Sequence, residues 1–171
     1  FTKLNNFANI NKDYKIKTNQ LALGDENENL EIFIKGGDYI GNNTFLSELL
    51  GKEAAKKIKV SVMRLDDYIK KNKIKKIKLI KIDVEGFEFS VLKGLSSYFE
   101  NCLKTNSCPV IVSEVVPEAY PKLGYKLEDL FSYMKQFSYY PYEILNTEKK
   151  LDINRTGNSY VADILFKQSI K

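Results

Sequence analysis

The most constraining feature of the sequence is an apolar segment that ends abruptly in two carboxylates and a glycine, with a helical pattern directly after it. The segment reads Leu79-Ile80-Lys81-Ile82-Asp83-Val84-Glu85-Gly86-Phe87-Glu88. Strand, turn and helix in this order build open α/β sheets, in which ligands bind beyond the carboxyl ends of the strands. Carboxylates at such an end are therefore candidates for a functional site.

The absence of histidine excludes several mechanisms. None of the 171 residues is a histidine, so Ser-His-Asp hydrolysis, histidine general-base catalysis and histidine-ligated zinc are ruled out. Any acid–base chemistry in this chain must use Asp, Glu, Lys, Tyr or Cys.

Length and composition predict one domain covering residues 1–171. A chain of this size that is 43% hydrophobic can bury one core but hardly two. No apolar segment reaches the length of a membrane span, and no signal segment opens the chain. Cys102 and Cys108 have no further ligands at metal-site spacing, so a reducing, cytoplasmic setting is the simplest expectation.

The net charge of +5 comes from lysine, which is concentrated between Lys70 and Lys78. This stretch suits either a nucleic-acid face or a solvated loop. Arginine makes most bidentate phosphate and base contacts, yet Arg64 and Arg155 are the only arginines. We therefore expect a solvated loop and no nucleic-acid partner.

Apolar periodicity and turn residues predict alternating helices and strands. Helices are predicted over 1–11, after Asn43-Thr44 with the stripe Phe45, Leu46, Leu49 and Leu50, at 65–69, over 91–99 and over 127–137. Strands are predicted at 16–23 and 30–35, paired as a hairpin, and at 58–63, 77–82, 110–112, 142–145 and 160–166. We expect the strands at 77–82 and 110–112 to be parallel neighbours, and the strand at 160–166 to run antiparallel in the same sheet. Asp83 and Glu114 then lie at carboxyl ends of adjacent strands.

This order of motifs resembles the FkbM family of S-adenosylmethionine-dependent methyltransferases, which have the Class I methyltransferase fold. The matching pieces are Ala22-Leu23-Gly24-Asp25, Leu65-Asp66-Asp67-Tyr68-Ile69, residues 80–88, Val91-Leu92-Lys93-Gly94 and Ser113-Glu114-Val115. The resemblance implies an α/β, Rossmann-like methyltransferase sheet, mostly parallel with an antiparallel C-terminal strand. It also implies S-adenosylmethionine as cofactor and a hydroxyl of a sugar, glycolipid or small metabolite as methyl acceptor.

One part of the family pattern is missing. The Gly-rich loop after the first strand and the acid after the second strand hold part of the cofactor in that fold, and neither occurs here. Gly36-Gly37 does not replace the loop, since it follows a later strand and opens no suitable helix. The expectation is an N-terminally truncated chain, the distal part of a methyltransferase domain, that on its own does not bind S-adenosylmethionine measurably.

Three acids are the candidate catalytic residues. Asp83 is expected to face the reacting centre as a hydrogen-bond or proton acceptor, Glu85 to support it, and Glu114 to bind substrate or act as a base. The alternatives are that Asp83 or Glu85 caps the helix beginning near Phe87, and that Glu114 is a buried acid paired with a lysine.

The candidate cofactor-binding residues are Ala22, Leu23 and Asp25, together with Asp83. By the resemblance, Ala22 and Leu23 pack against the adenine ring and Asp25 meets its exocyclic nitrogen. The alternative for Asp25 is a Gly-Asp hairpin turn. Asp66 and Asp67 are expected to cap a helix.

Metal binding and two other functions remain alternatives. The carboxylates of Asp83, Glu85 and Glu114 suit magnesium or calcium, but nothing in the sequence requires a metal and we expect none. The competing functions are a non-catalytic α/β interaction module that has lost the cofactor site, and a nucleotide-binding protein whose acidic turn binds metal and phosphate.

Overall fold

The computed structural model describes residues 1–35, 43–47, 55–152 and 162–168, and these contain five α-helices and seven strands. The helices are α1 (Thr2–Ile10), α2 (Leu65–Lys71), α3 (Glu88–Lys93), α4 (Ser96–Thr105) and α5 (Leu127–Gln136). The strands are β1 (Ala22–Gly24), β2 (Glu28–Lys35), β3 (Ala55–Arg64), β4 (Leu79–Ile82), β5 (Val110–Val115), β6 (Tyr139–Glu143) and β7 (Ala162–Gln168). They form an α/β architecture with two separate sheets.

The sheet that positions the predicted acids has the strand order β4-β5-β7-β6. Strands β4 and β5 are parallel, with Leu79 opposite Val110 and Ile82 opposite Ser113. Strand β7 is antiparallel to both β5 and β6. The predicted parallel pair and the antiparallel C-terminal strand are therefore confirmed, and Asp83 and Glu114 lie at the same edge of the sheet.

The other sheet has the order β1-β3-β2 and corrects two expectations. Strands β1 and β2 do not form the predicted hairpin, because β3 lies between them, parallel to β1 and antiparallel to β2. The expectation of a mostly parallel sheet is also wrong: only β1 with β3 and β4 with β5 are parallel among the described pairs. The ten-residue β3 pairs with β1 along one edge and with β2 along the other. The turn residues around Gly24-Asp25 suggested a hairpin because they carry no information about this distant strand.

Several predicted boundaries also shift. The strand expected over 16–23 is confined to β1, and the strand expected at 142–145 is β6, which begins and ends earlier. The helix expected over 91–99 is two helices, because the chain turns at Gly94 between α3 and α4. Of the helix predicted after Asn43-Thr44, residues 48–50 lie outside the described part; Thr44 itself forms a bridge with Phe33.

The hydrophobic core lies around the sheet β4-β5-β7-β6 and helices α3, α4 and α5. Its largest fully buried apolar or aromatic side chains are Tyr120, Tyr139, Phe99, Phe166, Leu92, Leu95, Ile111, Leu130 and Met134. The predicted amphipathic helices α1 and α5 both form, but only α5 buries its apolar stripe. The lysines between Lys70 and Lys78 are exposed; Lys70 and Lys71 lie in the last turn of α2 and not in a loop, and the other lysines lie in the segment before β4.

Cys102 and Cys108 are joined in a disulfide that links α4 to the segment before β5. A reducing setting predicts free thiols, so the disulfide goes against that expectation. The cytoplasmic location remains a prediction. No helix in the described ranges is long and apolar enough to cross a membrane.

Candidate active site at the carboxyl ends of β4 and β5

The three predicted catalytic acids meet at one point. Asp83 follows β4, Glu85 lies two residues further along the turn, and Glu114 lies in β5. Each offers a carboxylate oxygen, and these oxygens all lie within 4.8 Å of one another. Asp83 is exposed, whereas Glu85 and Glu114 are half-buried. The parallel pairing of β4 and β5 is the cause of this convergence.

The backbone of the acidic turn has an unusual conformation. Glu85 and Gly86 have φ angles of 53° and 100°, a left-handed region that a non-glycine residue adopts only when its surroundings impose it. The carboxylate of Glu88 accepts hydrogen bonds from the N–H groups of Val84 and Gly86, at 3.2 and 2.9 Å. From the other side, the Thr44 hydroxyl donates to the carbonyl oxygen of Glu85 at 2.9 Å.

Sequence reasoning missed the role of Glu88 and Thr44 in holding this turn. In the sequence, Glu88 stood out only as part of the family motif, and Thr44 only as a mark of where a predicted helix begins. A carboxylate inside the apolar run Phe87-Glu88-Phe89 was the available signal, since a charged residue is rarely buried unless it is bonded. Helix capping does not explain Asp83 or Glu85, because the N-cap residue of α3 is Phe87.

The acids influence one another electrostatically. Burial, together with the negative charges of Asp83, Glu85 and Glu88, raises the pKa of Glu114 to about 7, against a smaller opposing effect of Lys81. Burial and the charge of Asp83 also raise the pKa of Glu85. A carboxyl group with a pKa near neutrality can both accept and release a proton at physiological pH.

Among the described residues, Lys81 is the cation that pairs with one of these acids. Its ammonium lies 3.3 Å from the carboxylate of Asp83 and 2.7 Å from that of Asp163 on β7. The ion pairs between described residues include none at Glu114, and one Glu114 oxygen is buried without a hydrogen-bond partner. The alternative of a Glu114–lysine pair is therefore not what the structure shows.

A cavity of about 460 Å³ opens beside the acidic turn, between β1 and the end of β4. That volume lies in the range of small-molecule sites. Its lining includes the predicted residues Ala22, Leu23, Asp83 and Glu85; the others are Leu21, Ile32, Asn43, Phe45, Leu65, Ile80, Lys81, Ile82, Val84 and Val91. The wall is apolar on the β1 side and carries the carboxylates at the end of β4.

Asp25 does not line this cavity. Its carboxylate lies 2.6 Å from the Lys93 ammonium and accepts a hydrogen bond from the Ser90 hydroxyl. Burial acts to raise the pKa of Asp25, but the bonds from Lys93 and Ser90 and the charge of Lys93 lower it below its usual value. Asp25 thus ties β1 to α3, and its contact with adenine remains a prediction.

Asp66 caps a helix, as expected, but not its own. Its two carboxylate oxygens accept hydrogen bonds from the N–H groups of Ser97 and Tyr98 in the first turn of α4, at 3.0 and 2.8 Å. Arg64 bonds to Asp66 at 3.1 Å and to the Lys93 carbonyl oxygen at 3.2 Å. These bonds fix α3 and α4 against β3 and thereby hold the site's framework.

The clustered carboxylates allow three kinds of interaction. They can accept hydrogen bonds from a ligand's hydroxyl groups, take up a proton, or attract a cation. The spacing of their oxygens is compatible with a shared hard divalent cation, although the ammonium of Lys81 already neutralises part of the charge.

The fold and site define an α/β protein in which three acids meet at the carboxyl ends of the parallel strands β4 and β5, beside a cavity between β1 and the end of β4. Residues 3–141 match the family model of the methyltransferase FkbM domain, so the chain belongs to the FkbM methyltransferase family. This membership indicates methyl transfer. No curated protein and no solved structure gives a significant match.

Proposed function

We propose that the methyltransferase domain of which this chain forms the distal part transfers a methyl group from S-adenosylmethionine to a hydroxyl of a sugar, glycolipid or small metabolite. The observation that carries the proposal is the meeting of three carboxylates beside a cavity of about 460 Å³. We take residues 1–171 as a single domain.

The residues around the cavity fit two portions of that donor. The apolar wall contributed by Ala22 and Leu23 suits the face of an adenine ring, as the family resemblance implies. The carboxylates create a negative potential, which favours a positively charged ligand. When bound, S-adenosylmethionine supplies an activated methyl group on a positively charged sulfur.

The chemistry requires positioning and the removal of one proton. The acceptor oxygen forms a bond to the methyl carbon as the carbon–sulfur bond breaks, and the electron pair of the broken bond stays on sulfur. Asp83 lines the cavity, so we assign to it the hydrogen bond from the acceptor hydroxyl and the uptake of its proton. Glu114, whose pKa is raised to about 7, has a carboxylate oxygen within 4.8 Å of one of Asp83, a distance that one bridging hydroxyl group or water molecule spans, and Glu85 supports Asp83.

The test is transfer of a labelled methyl group by the full-length protein. S-adenosylmethionine labelled in the methyl group is offered with sugars, glycolipids and small hydroxyl compounds, and with amines of similar size as a control. We expect an O-methylated product. Label found only in amine products overturns the hydroxyl assignment, and no product together with no donor binding by calorimetry favours the non-catalytic interaction module.

A further inference from the structure

A carboxylate lies completely buried beneath the acidic turn. Glu88, the first residue of α3, has a relative exposure of 0%, and among the ion pairs of the described residues none involves it. Burying a carboxylate without a cation is unfavourable unless hydrogen bonds compensate. A side chain kept there is therefore expected to have a specific role.

The hydrogen bonds of Glu88 span the turn rather than the helix. One oxygen, Oε1, accepts from Val84 N at 3.2 Å and from Gly86 N at 2.9 Å. Glu85, the residue between these two donors, has the left-handed φ of 53°. A single acceptor atom that holds both flanking N–H groups fixes the backbone of Glu85 and so the direction in which its carboxylate leaves the turn.

The second carboxylate oxygen of Glu88 has no partner, so an ion pair does not stabilise the buried side chain. Oε2 is buried with no hydrogen-bond partner, and burial raises the pKa of Glu88 even though the turn's N–H groups oppose the shift. The N–H group of Glu88 itself also acts on the carboxylate, but the two hydrogen bonds that reach the turn are those from Val84 and Gly86.

We propose that Glu88 is a positioning residue that holds the turn Asp83–Gly86 so that the carboxylates of Asp83 and Glu85 meet Glu114. The proposal rests on the proposed function for its catalytic consequence, but the effect on the turn is independent of activity. Glu88 acts here through its acceptor oxygen and not through its charge.

Two variants separate these properties. Glu88→Met keeps much of the side-chain volume and removes the acceptor, whereas Glu88→Gln keeps a carbonyl oxygen and removes the charge. Amide hydrogen exchange at Val84 and Gly86 measures the turn directly, and the amides of Leu130 and Met134 in α5 report global stability.

In Glu88→Met we expect about tenfold faster exchange at Val84 and Gly86, with α5 unchanged, since one local hydrogen bond is lost at each amide. We expect Glu88→Gln to exchange like the wild type. In the methyl-transfer assay, Glu88→Met should lower kcat about ten- to hundredfold with little change in the KM for the donor, because the misplaced acids act in the chemical step. Glu88→Gln should restore most of the turnover.

The outcomes are distinguishable. Unchanged turn exchange in Glu88→Met overturns the proposal, as does unchanged kcat despite a loosened turn. A Glu88→Gln variant as inactive as Glu88→Met shows that charge matters, which also overturns it; this variant decides the matter if Glu88→Met does not fold. If the wild type transfers no methyl group, the proposed function fails, while amide exchange still decides whether Glu88 holds the turn.

Discussion

At the level of single residues, Asp83 is the residue to which we assign the uptake of the acceptor's proton. Its carboxylate borders the cavity and lies 3.3 Å from the ammonium of Lys81. Asp83→Asn preserves shape and removes the charge, so turnover should fall by roughly 10²- to 10⁴-fold, as is typical for a positioned acid–base group. Steady-state kinetics of the full-length protein measure this.

The matched control is Asp163→Asn. Asp163 pairs with the same lysine at 2.7 Å but lies on β7 outside the cavity lining. Its loss should leave turnover within a fewfold of the wild type. Equal losses in the two variants would assign the effect to Lys81, and normal turnover in Asp83→Asn would make Asp83 structural.

Glu114 gives a prediction for stability against pH. Its folded-state pKa of about 7 exceeds the ordinary value of 4.5, so between these values the folded chain retains a proton that the unfolded chain has lost. The contribution of Glu114 to the free energy of unfolding is therefore fully present below pH 4.5 and is lost as the pH rises to about 7. Urea unfolding across this window should show the decline.

Glu114→Gln should remove that part of the pH dependence, since glutamine does not titrate. The exposed Glu118, on the turn after β5, provides the control: Glu118→Gln should keep the wild-type slope. Parallel pH profiles for Glu114→Gln and the wild type would contradict a proton held by Glu114.

At the level of secondary-structure elements, the close packing of β1 against the end of α3 depends on two glycines, Gly24 and Gly94. A Cβ added at Gly94 would lie 2.2 Å from the carbonyl oxygen of Gly24, a backbone atom that cannot move aside without shifting β1. Gly94→Ala should therefore lower the free energy of unfolding by about 1–3 kcal/mol, the usual cost of overpacking. Denaturant unfolding measures the difference.

Gly124→Ala is the control, because it introduces backbone strain without a steric clash. Gly124 has a φ of 78° and open space where its Cβ would be, so only backbone strain of about 1 kcal/mol is expected. A Gly94→Ala variant no less stable than Gly124→Ala would show that β1 and α3 have room to separate.

The packing of β1 against α3 also shows which elements could be predicted from the sequence and which could not. The amphipathic stripe of α5 and the apolar run of β4 are local patterns, and both elements formed where expected. The break between α3 and α4 was not predicted. It falls at Gly94, where a side chain has no room beside the carbonyl oxygen of Gly24, and Gly24 is seventy positions away in the chain.

At the scale of the whole molecule, the disulfide adds a covalent constraint to the core. Cys102 is 1% exposed and its bond to Cys108 closes a short loop, with a sequence separation of 6. In the chain-entropy description, a loop of this size contributes about 2 kcal/mol. Reduction of the wild type should lower Tm by about 4–8 °C.

The control is the double variant Cys102→Ala, Cys108→Ala, whose Tm should not respond to reductant. Calorimetry with and without dithiothreitol measures both proteins. An equal response in the two would assign the effect to the reductant itself, and no response in the wild type would mean that the bond contributes nothing to stability.

Local patterns in the sequence were enough to predict the α/β class, the family and the meeting of three carboxylates, because these patterns are contiguous in the chain. Strand, acidic turn and helix around Asp83 form one such pattern, and parallel pairing then brings Glu114 to it. Three features became visible only in the folded structure: β3 separates β1 from β2, Asp25 bonds to Lys93, and Glu88 accepts hydrogen bonds from the turn. Strand order and buried hydrogen bonds depend on which distant residues pair with one another in the folded chain, and a local sequence pattern carries no information about those partners.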